Sequence, residues 1–371
     1  TSQLPQTGSV TVDGEPVRVL GVLGAGSDNT AWAGKVAIVE GDVGSDDEFD
    51  TAVTLKAGEF SDRGASRNFS RKLIRLQRGG AKAILIQVDK DHPLIQRAAR
   101  TSEPRLLRSQ GSFTIPLLLV EPGEFAGQTE IKLGKQIFGK AEVKNVIGVL
   151  PGSDPELSKE AIIFTAHLDH IGEVSGSVGD TINNGADDDA TGVTAVLSLA
   201  DAYASLATAP KRSVIFMTFW GEEKGLLGSR HYAKSPEWPL DKTIANINLE
   251  MLGRPEPGAN EKTWVTGWDQ SNLGQIMAKG AKRVGVEVFE HPKFSDQLYR
   301  ASDNFSFVEK GVIAHSFSAG SLHADYHQVT DEWERLELKH MTRVIEGVFA
   351  GSLPIAQGEA TPEKSENARK R

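Results

Sequence analysis

The feature that most constrains the fold is an alternation of apolar runs and amphipathic segments between about residues 143 and 350. Short apolar runs predict buried strands, and apolar residues at three- or four-residue spacing predict helices. This alternation favours an α/β fold whose mostly parallel mixed sheet is covered by helices on both faces. The predicted strands are 143–150, 161–165, 214–219, 244–249 and 312–316, and the predicted helices are 191–206, 223–233, 273–284 and 338–350.

Residues 14–135 have a different pattern, with short strands and one clear helix. The helix is predicted over 69–77, where Phe69, Leu73 and Leu76 share one face. We therefore predict a smaller β-rich domain over 14–135 and a larger α/β domain over 140–352. Residues 357–371 are polar and charged and are expected to form a disordered tail.

The composition restricts the possible partners and metal ligands of the chain. The chain has 371 residues, no cysteine and a formal net charge of −9. The acidic balance argues against a nucleic-acid partner, no apolar run is long enough for a membrane span, and any zinc must be held by His, Asp and Glu. The sequence begins at Thr1 rather than Met, which either a removed signal peptide or a start chosen within a longer chain explains. Together with the absence of cysteine, this start leads us to expect a secreted or periplasmic protein whose signal peptide has been removed. The oligomeric state is left open.

Acidic and histidine residues follow the predicted strands of the α/β region. In open α/β sheets, the carboxyl ends of the strands form the edge where ligands bind. Three consecutive aspartates, residues 187–189, lie just before the predicted helix 191–206. The residues at the strand ends are His167, Asp169, Glu222, Glu223, Glu250 and His327.

These residue types suit metal-assisted hydrolysis. Two zinc ions about 3.5–4 Å apart can activate a water and stabilise developing negative charge. A bridging carboxylate can hold such a pair, and of two adjacent glutamates one can bind metal while the other transfers the proton. A carboxylate two residues after a metal-binding histidine can orient its imidazole.

Five motifs in this order resemble the co-catalytic dizinc aminopeptidase family, which includes glutamate carboxypeptidases and transferrin-receptor-like proteins. The resemblance covers about residues 140–350, and residues 14–135 more loosely resemble the protease-associated domain that many members carry. The motifs are His167-x-Asp169, Gly185-Ala186-Asp187-Asp188-Asp189-Ala190-Thr191-Gly192, Gly221-Glu222-Glu223-x-Gly225-Leu226-x-Gly228-Ser229, Asn248-Leu249-Glu250-Met251-Leu252-Gly253 and Tyr326-His327-x-x-x-Asp331.

The resemblance implies two zinc ions per chain. Asp188 would bridge them, His167 and Glu250 would complete one site, and Glu223 and His327 would complete the other.

The resemblance also implies catalytic roles. Glu222 would be the general base, Asp169 would orient His167, and Tyr326 would hydrogen-bond the oxyanion. It further implies a cis peptide bond between Asp188 and its successor.

The sequence departs from the family pattern in three places. The family usually has Asp where Glu250 stands, and the extra methylene is expected to change the geometry or affinity of that zinc site. Asn304 stands where the family has His, so we interpret Asp303 as structural or pocket-lining. Members with an inserted protease-associated domain carry catalytic segments before it, so we expect an N-terminal segment to be missing.

The leading hypothesis is an aminopeptidase that acts on peptides. A carboxypeptidase of the same family is the second, and Arg254, Lys293 and Arg300 are candidates for its basic pocket. A glutamine cyclase is disfavoured because those relatives use one zinc. A metal-free, receptor-like binding protein is the alternative from a different class.

The remaining histidines are assigned no ligand role, and only His323 is considered for the pocket. The set interpreted as non-ligands is His170, His231, His291, His315 and His340.

Overall fold

The computed structural model describes residues 2–3, 8–26, 28–58, 63–95, 98, 113–173, 180–320 and 322–366. Its contacts divide the chain into two units. The first comprises residues up to Glu142, and the second comprises Val143–Glu173 and Asp180–Arg371.

The first unit is β-rich, with one long helix, α1 (Arg63–Arg78). Five strands form one sheet in the order β4-β9-β8-β7-β6, and four form another in the order β3-β2-β10-β5. The strands are β1 (Ser2–Gln3), β2 (Gly8–Val12), β3 (Glu15–Val17), β4 (Val19–Gly24), β5 (Thr30–Lys35), β6 (Ala37–Ile38), β7 (Val53–Lys56), β8 (Ile84–Gln87), β9 (Leu117–Val120), β10 (Gln128–Leu133) and β11 (Ile137–Phe138).

Alternation along β8 explains how the first unit is packed. Ile84 and Ile86 lie in a core cluster with Leu73 and Leu76 of α1. Leu85 points to the opposite face and packs in a second cluster that includes residues of the four-stranded sheet. The period of two along a strand thus places apolar side chains on both faces of the five-stranded sheet.

The second unit contains a seven-stranded mixed sheet in the order β12-β16-β13-β17-β20-β18-β19. Its four central strands, β16, β13, β17 and β20, run parallel. Strand β12 pairs antiparallel with β16, β18 pairs antiparallel with β20, and β19 pairs parallel with β18. The strands of this unit are β12 (Val146–Leu150), β13 (Ala161–His167), β14 (Gly172–Glu173), β15 (Ile182–Asn183), β16 (Ser213–Phe219), β17 (Thr243–Leu249), β18 (Lys262–Val265), β19 (Glu287–Phe289) and β20 (Ala314–Ser318).

Helices cover both faces of this sheet, which confirms the predicted fold class. Ile162 and Phe164 of β13 pack with apolar residues of α2, α4 and α7, whereas Ile163 packs with Tyr232 of α3 and Phe307 of α6 on the other face. The α-helices are α2 (Thr191–Ala204), α3 (Leu227–Lys234), α4 (Leu273–Ala281), α5 (Phe294–Gln297), α6 (Asn304–Val308) and α7 (Leu338–Ala356), and the 3₁₀ helices are Leu157–Lys159, Leu240–Lys242, Lys282–Val284 and Trp333–Arg335. Within the described ranges, no helix combines the length and apolar character that a bilayer crossing needs.

The prediction of a disordered tail over 357–371 is wrong for residues 357–366. Arg212 donates hydrogen bonds to the Ala360 carbonyl (3.0 Å) and to the Thr361 hydroxyl (2.9 Å). The Ser365 amide donates to the Gln270 carbonyl at 3.0 Å. These bonds hold the polar segment against the second unit, and residues 367–371 lie outside the described part of the chain.

Candidate metal centre

The first group of donors stands at the ends of two neighbouring strands. His167 is the last residue of β13, and Glu250 directly follows β17. These strands are parallel, with Thr165 opposite Asn248, so both side chains leave the same edge of the sheet. His167 Nε2 lies 3.1 Å from Asp188 Oδ1. The donor atoms of His167, Asp188 and Glu250 all lie within 4.8 Å of one another, and we call them the strand-end group.

The second group stands on turns and loops. Glu223 lies in the turn after β16, and His327 lies in a loop with a positive φ of 59°. His327 Nε2 is 3.3 Å from Asp188 Oδ2 and 3.4 Å from Glu223 Oε1. We call Asp188, Glu223 and His327 the loop group. The two oxygens of Asp188 therefore face different groups, as those of a bridging carboxylate would.

A third imidazole, to which the sequence motifs assign no ligand role, lies beside the loop group. His170 Nδ1 is 2.9 Å from Glu223 Oε1 and 3.8 Å from Asp188 Oδ2. Its ring meets that of His327 edge to face at 5.6 Å. The sequence signal for it is a second histidine three residues after His167, still at the strand end.

Asp189 is not a donor of the strand-end group but holds the backbone around it through hydrogen bonds. One carboxylate oxygen accepts the backbone N–H groups of Gly192 and Met251, and the other accepts that of His167. A side chain at Gly192 would collide with the Asp189 carboxylate, which is why glycine is needed there. The peptide bond between Asp188 and Asp189 is cis, as the resemblance implied.

Asp187 and Asp331 support Asp188 from the other side. The Asp331 carboxylate accepts the backbone N–H groups of Asp187 (3.1 Å) and Asp188 (3.2 Å). Asp187 Oδ1 accepts the Gly253 amide at 2.7 Å, and its Oδ2 lies 3.1 Å from His323 Nε2. His323 thus contacts a supporting aspartate, while Asp188 alone of the triplet faces both donor groups.

The carboxylate of Asp169 does not make the predicted contact with the His167 imidazole. His167 Nδ1 lies 2.8 Å from the backbone carbonyl of Asp169, whereas the carboxylate is 3.8 Å away. The carboxylate instead accepts the Glu222 amide at 3.0 Å. The expected orienting contact therefore comes from the backbone, and the side chain fixes the turn that carries Glu222.

The electrostatics of the site suit bound cations. Burial and the nearby Glu250 raise the pKa of Glu222, and burial raises the pKa of Glu250. Burial opposes ionisation of Glu223 as well, but the neighbouring imidazoles hold its pKa at about 2. Within the described residues, His167 Nε2 makes no hydrogen bond although a carboxylate oxygen lies 3.1 Å away. An imidazole nitrogen and a carboxylate oxygen that converge without bonding each other fit metal ligation by His and Asp.

A small cavity opens beside these carboxylates. Its volume is about 80 Å³, which compares with roughly 30 Å³ for one water in the liquid and about 150 Å³ for a cavity that binds benzene. No Arg or Lys is among its described lining residues. The lining comprises Asp188, Glu222, Glu250, Met251, Trp264, Thr266, Leu298, Ala301, Ser302, Ser316, Ser318, Gly320, Leu322, Tyr326 and His327.

The candidate basic residues for a carboxypeptidase lie elsewhere. Arg254 Nη1 pairs with Asp325 at 3.0 Å. Lys293 and Arg300 are exposed, and each lies over a phenylalanine ring.

The departure at Asp303-Asn304 is a core feature. Asp303 is fully buried and accepts a hydrogen bond from the Ser229 hydroxyl. Asn304 accepts from Ser316 and donates to the Tyr299 carbonyl. This pair therefore supports the wall behind the cavity.

The fold and the donor groups define an α/β protein with a candidate two-metal centre at the carboxyl edge of its sheet. The model of peptidase family M28 matches residues 145–351, more than half of the chain, and the chain belongs to that family.

Similar proteins come from bacteria and fungi. Aminopeptidase YwaD of Bacillus subtilis is 24% identical over 305 residues, which are 80% of this chain and 62% of that protein. A probable zinc metalloprotease of Pyrenophora tritici-repentis is 42% identical over 216 residues, 48% of this chain and 49% of the relative. The matched region thus spans about half to three-fifths of the length of these two relatives.

Solved structures share the fold. A zinc aminopeptidase from Bacillus subtilis superimposes with a TM-score of 0.56 at 18% identity, covering 97% of this chain and 86% of the other. The aminopeptidase from Aneurinibacillus sp. strain AM-1 gives a TM-score of 0.53 at 20% identity, with 96% and 82% covered.

Proposed function

We propose that this protein is a zinc aminopeptidase that uses two metal ions to remove single residues from peptide N-termini. The observation that carries the proposal is the placement of Asp188. Its Oδ1 faces His167 and its Oδ2 faces His327, so one carboxylate joins two donor groups. Glu250 would complete the first zinc site and Glu223 the second. Bound zinc supplies an activated water and a sink for negative charge.

Glu222 is the proposed general base. It lines the cavity with Asp188 and Glu250, and its amide is fixed by Asp169. A carboxylate at this position, beside the two donor groups, can accept a proton from the attacking water and then deliver it to the leaving amine.

Tyr326 is the proposed oxyanion donor. It lines the same cavity, and its ring stacks on His327 at 3.8 Å. Burial and nearby carboxylates raise the pKa of its hydroxyl, so the hydroxyl keeps its proton and can donate a hydrogen bond to the developing oxyanion.

The cavity suggests which substrate end is recognised. Its walls include Met251, Trp264 and Leu298, which suit an apolar side chain, and its size favours an aliphatic residue over an aromatic one. A free α-ammonium group would be attracted to the carboxylates at the cavity mouth. A C-terminal carboxylate would find no cationic side chain to pair with, because no Arg or Lys lies among the described lining residues.

Further parts of the proposal concern the rest of the chain. We place a protease-associated domain at 14–135 and the catalytic domain at 140–352. The β-rich first unit and the change of unit between Glu142 and Val143 support this division. The absence of cysteine supports action outside the cytoplasm.

A Glu222→Gln variant tests the function. We expect it to bind zinc like the wild type and to lose about 10²–10⁴-fold in kcat on aliphatic amino-acid p-nitroanilides, because the proton acceptor is gone. The surface variant Glu237→Gln is the matched control. Full activity of Glu222→Gln, or a wild type that binds no zinc or prefers N-blocked dipeptides with a free carboxylate, would contradict the proposal.

A further inference from the structure

His170 is placed like a ligand rather than like a packing residue. Its side chain is only 7% exposed, and Nδ1 lies 2.9 Å from Glu223 Oε1. Even so, neither ring nitrogen forms a hydrogen bond with a described residue. A buried imidazole normally satisfies its nitrogens, so this arrangement needs another partner.

The distances from His170 and His327 to the carboxylates of the loop group indicate that the partner is a metal ion. His170 Nδ1 lies 2.9 Å and 3.8 Å from the oxygens of Glu223 and Asp188. His327 Nε2 lies 3.4 Å and 3.3 Å from the same two oxygens. Tetrahedral zinc with bonds of about 2.0–2.2 Å holds its ligand atoms roughly 3.3–3.6 Å apart. The separations of the two imidazoles from the two carboxylates scatter around that spacing.

We infer that His170 is a fourth protein ligand of the metal held by Asp188, Glu223 and His327. This inference rests on the two-metal site of the proposed function and assigns an additional residue to it. Four protein ligands make a closed zinc site, whereas three leave a position open for water or substrate. The loop-group metal would then be held mainly for its charge, and the strand-end group would offer the open position.

The imidazole of His170 packs directly against the backbone of Gly185. Gly185 has a positive φ of 66°, and a side chain there would collide with the imidazole and with the Asp188 carbonyl. Glycine permits this close approach.

Zinc titration of the full chain tests the inference. A His167→Ala background weakens the strand-end group, so the remaining high-affinity zinc reports on the loop group. Adding His170→Ala should lower that affinity at least about 10-fold, as adding His327→Ala should, because a direct ligand matters no less than a supporting residue. Adding His231→Ala, an exposed helical histidine, should change it less than about 2-fold.

The outcomes separate the two proposals. If the His170→Ala chain binds zinc within about 2-fold of its parent, His170 is not a ligand and the inference fails while the proposed function stands. If the wild type binds no zinc, the proposed function itself fails. As a second measurement, His170→Ala alone should lose one of two zincs on dialysis faster than the wild type, and equal retention overturns the inference. Circular dichroism with chelator present checks that each variant folds.

Discussion

The two donor groups differ in the backbone that carries them. In the strand-end group, His167 and Glu250 extend from paired parallel strands, and the His167 side chain is 1% exposed. In the loop group, Glu223 and His327 stand on turns, and the His327 side chain is 35% exposed. Strand pairing fixes the first group, whereas the second depends on local turn conformation and can adjust. The groups should therefore respond differently to small changes in ligand geometry.

The largest expected effect comes from the one residue they share. Asp188→Asn removes the charge that faces both groups, so we expect zinc affinity to fall at both sites together. Activity should fall about 1000-fold or more, since a metal contributes several kcal/mol to the transition state. Metal content and kcat/KM measured on one preparation check this.

The matched control is Asp201→Asn, an exposed helical aspartate, which should leave both quantities unchanged. Loss of only one zinc in Asp188→Asn would show that the carboxylate does not bridge, and the comparison of two linked groups would fail.

A smaller effect separates the groups. Glu250→Asp and Glu223→Asp each withdraw a carboxylate by about one bond length, roughly 1.5 Å. The paired strand backbone cannot move toward the metal to compensate for the shorter side chain. Glu250→Asp should therefore weaken zinc binding at the strand-end group about 10-fold. The turn that carries Glu223 can move to compensate, and Asp188 and His327 still bind. Glu223→Asp should therefore weaken zinc binding at the loop group less than about 3-fold. Competition titration gives both values, and the reverse order would show that strand pairing does not control affinity.

The strand-end group shows what the sequence can predict. The strands are marked by apolar runs, and residues that follow parallel strands must meet at one edge, so the shared position of His167 and Glu250 follows from the sequence alone. The same patterns predicted β16 to within one residue and the start of α2 correctly.

The loop group shows where prediction fails. Helix α3 begins at Leu227 rather than at Glu223, because Gly225 and Leu226 adopt positive φ values of 100° and 60° and interrupt the helix. The contact of His170 with Glu223 depends on that turn, which no periodicity encodes. In the same way, the sequence could not show that the Asp169 carbonyl, rather than its carboxylate, meets His167. Side-chain direction in turns is set by tertiary contacts.

The smallest expected effect concerns Asp189, whose carboxylate supports only the strand-end group. In Asp189→Asn, the amide oxygen can keep the Gly192 and Met251 bonds, but the NH2 group would face the His167 N–H, which then loses its acceptor. An unsatisfied buried N–H costs about 1–3 kcal/mol. We expect the free energy of unfolding of the metal-free protein to fall by that amount, and zinc affinity to fall at the strand-end group only. Urea denaturation with chelator present, compared with Asp201→Asn, measures the loss. Equal stability of the two variants would mean that Asp189 does not hold His167 in place, and equal weakening of both zinc sites would mean that its carboxylate supports both groups.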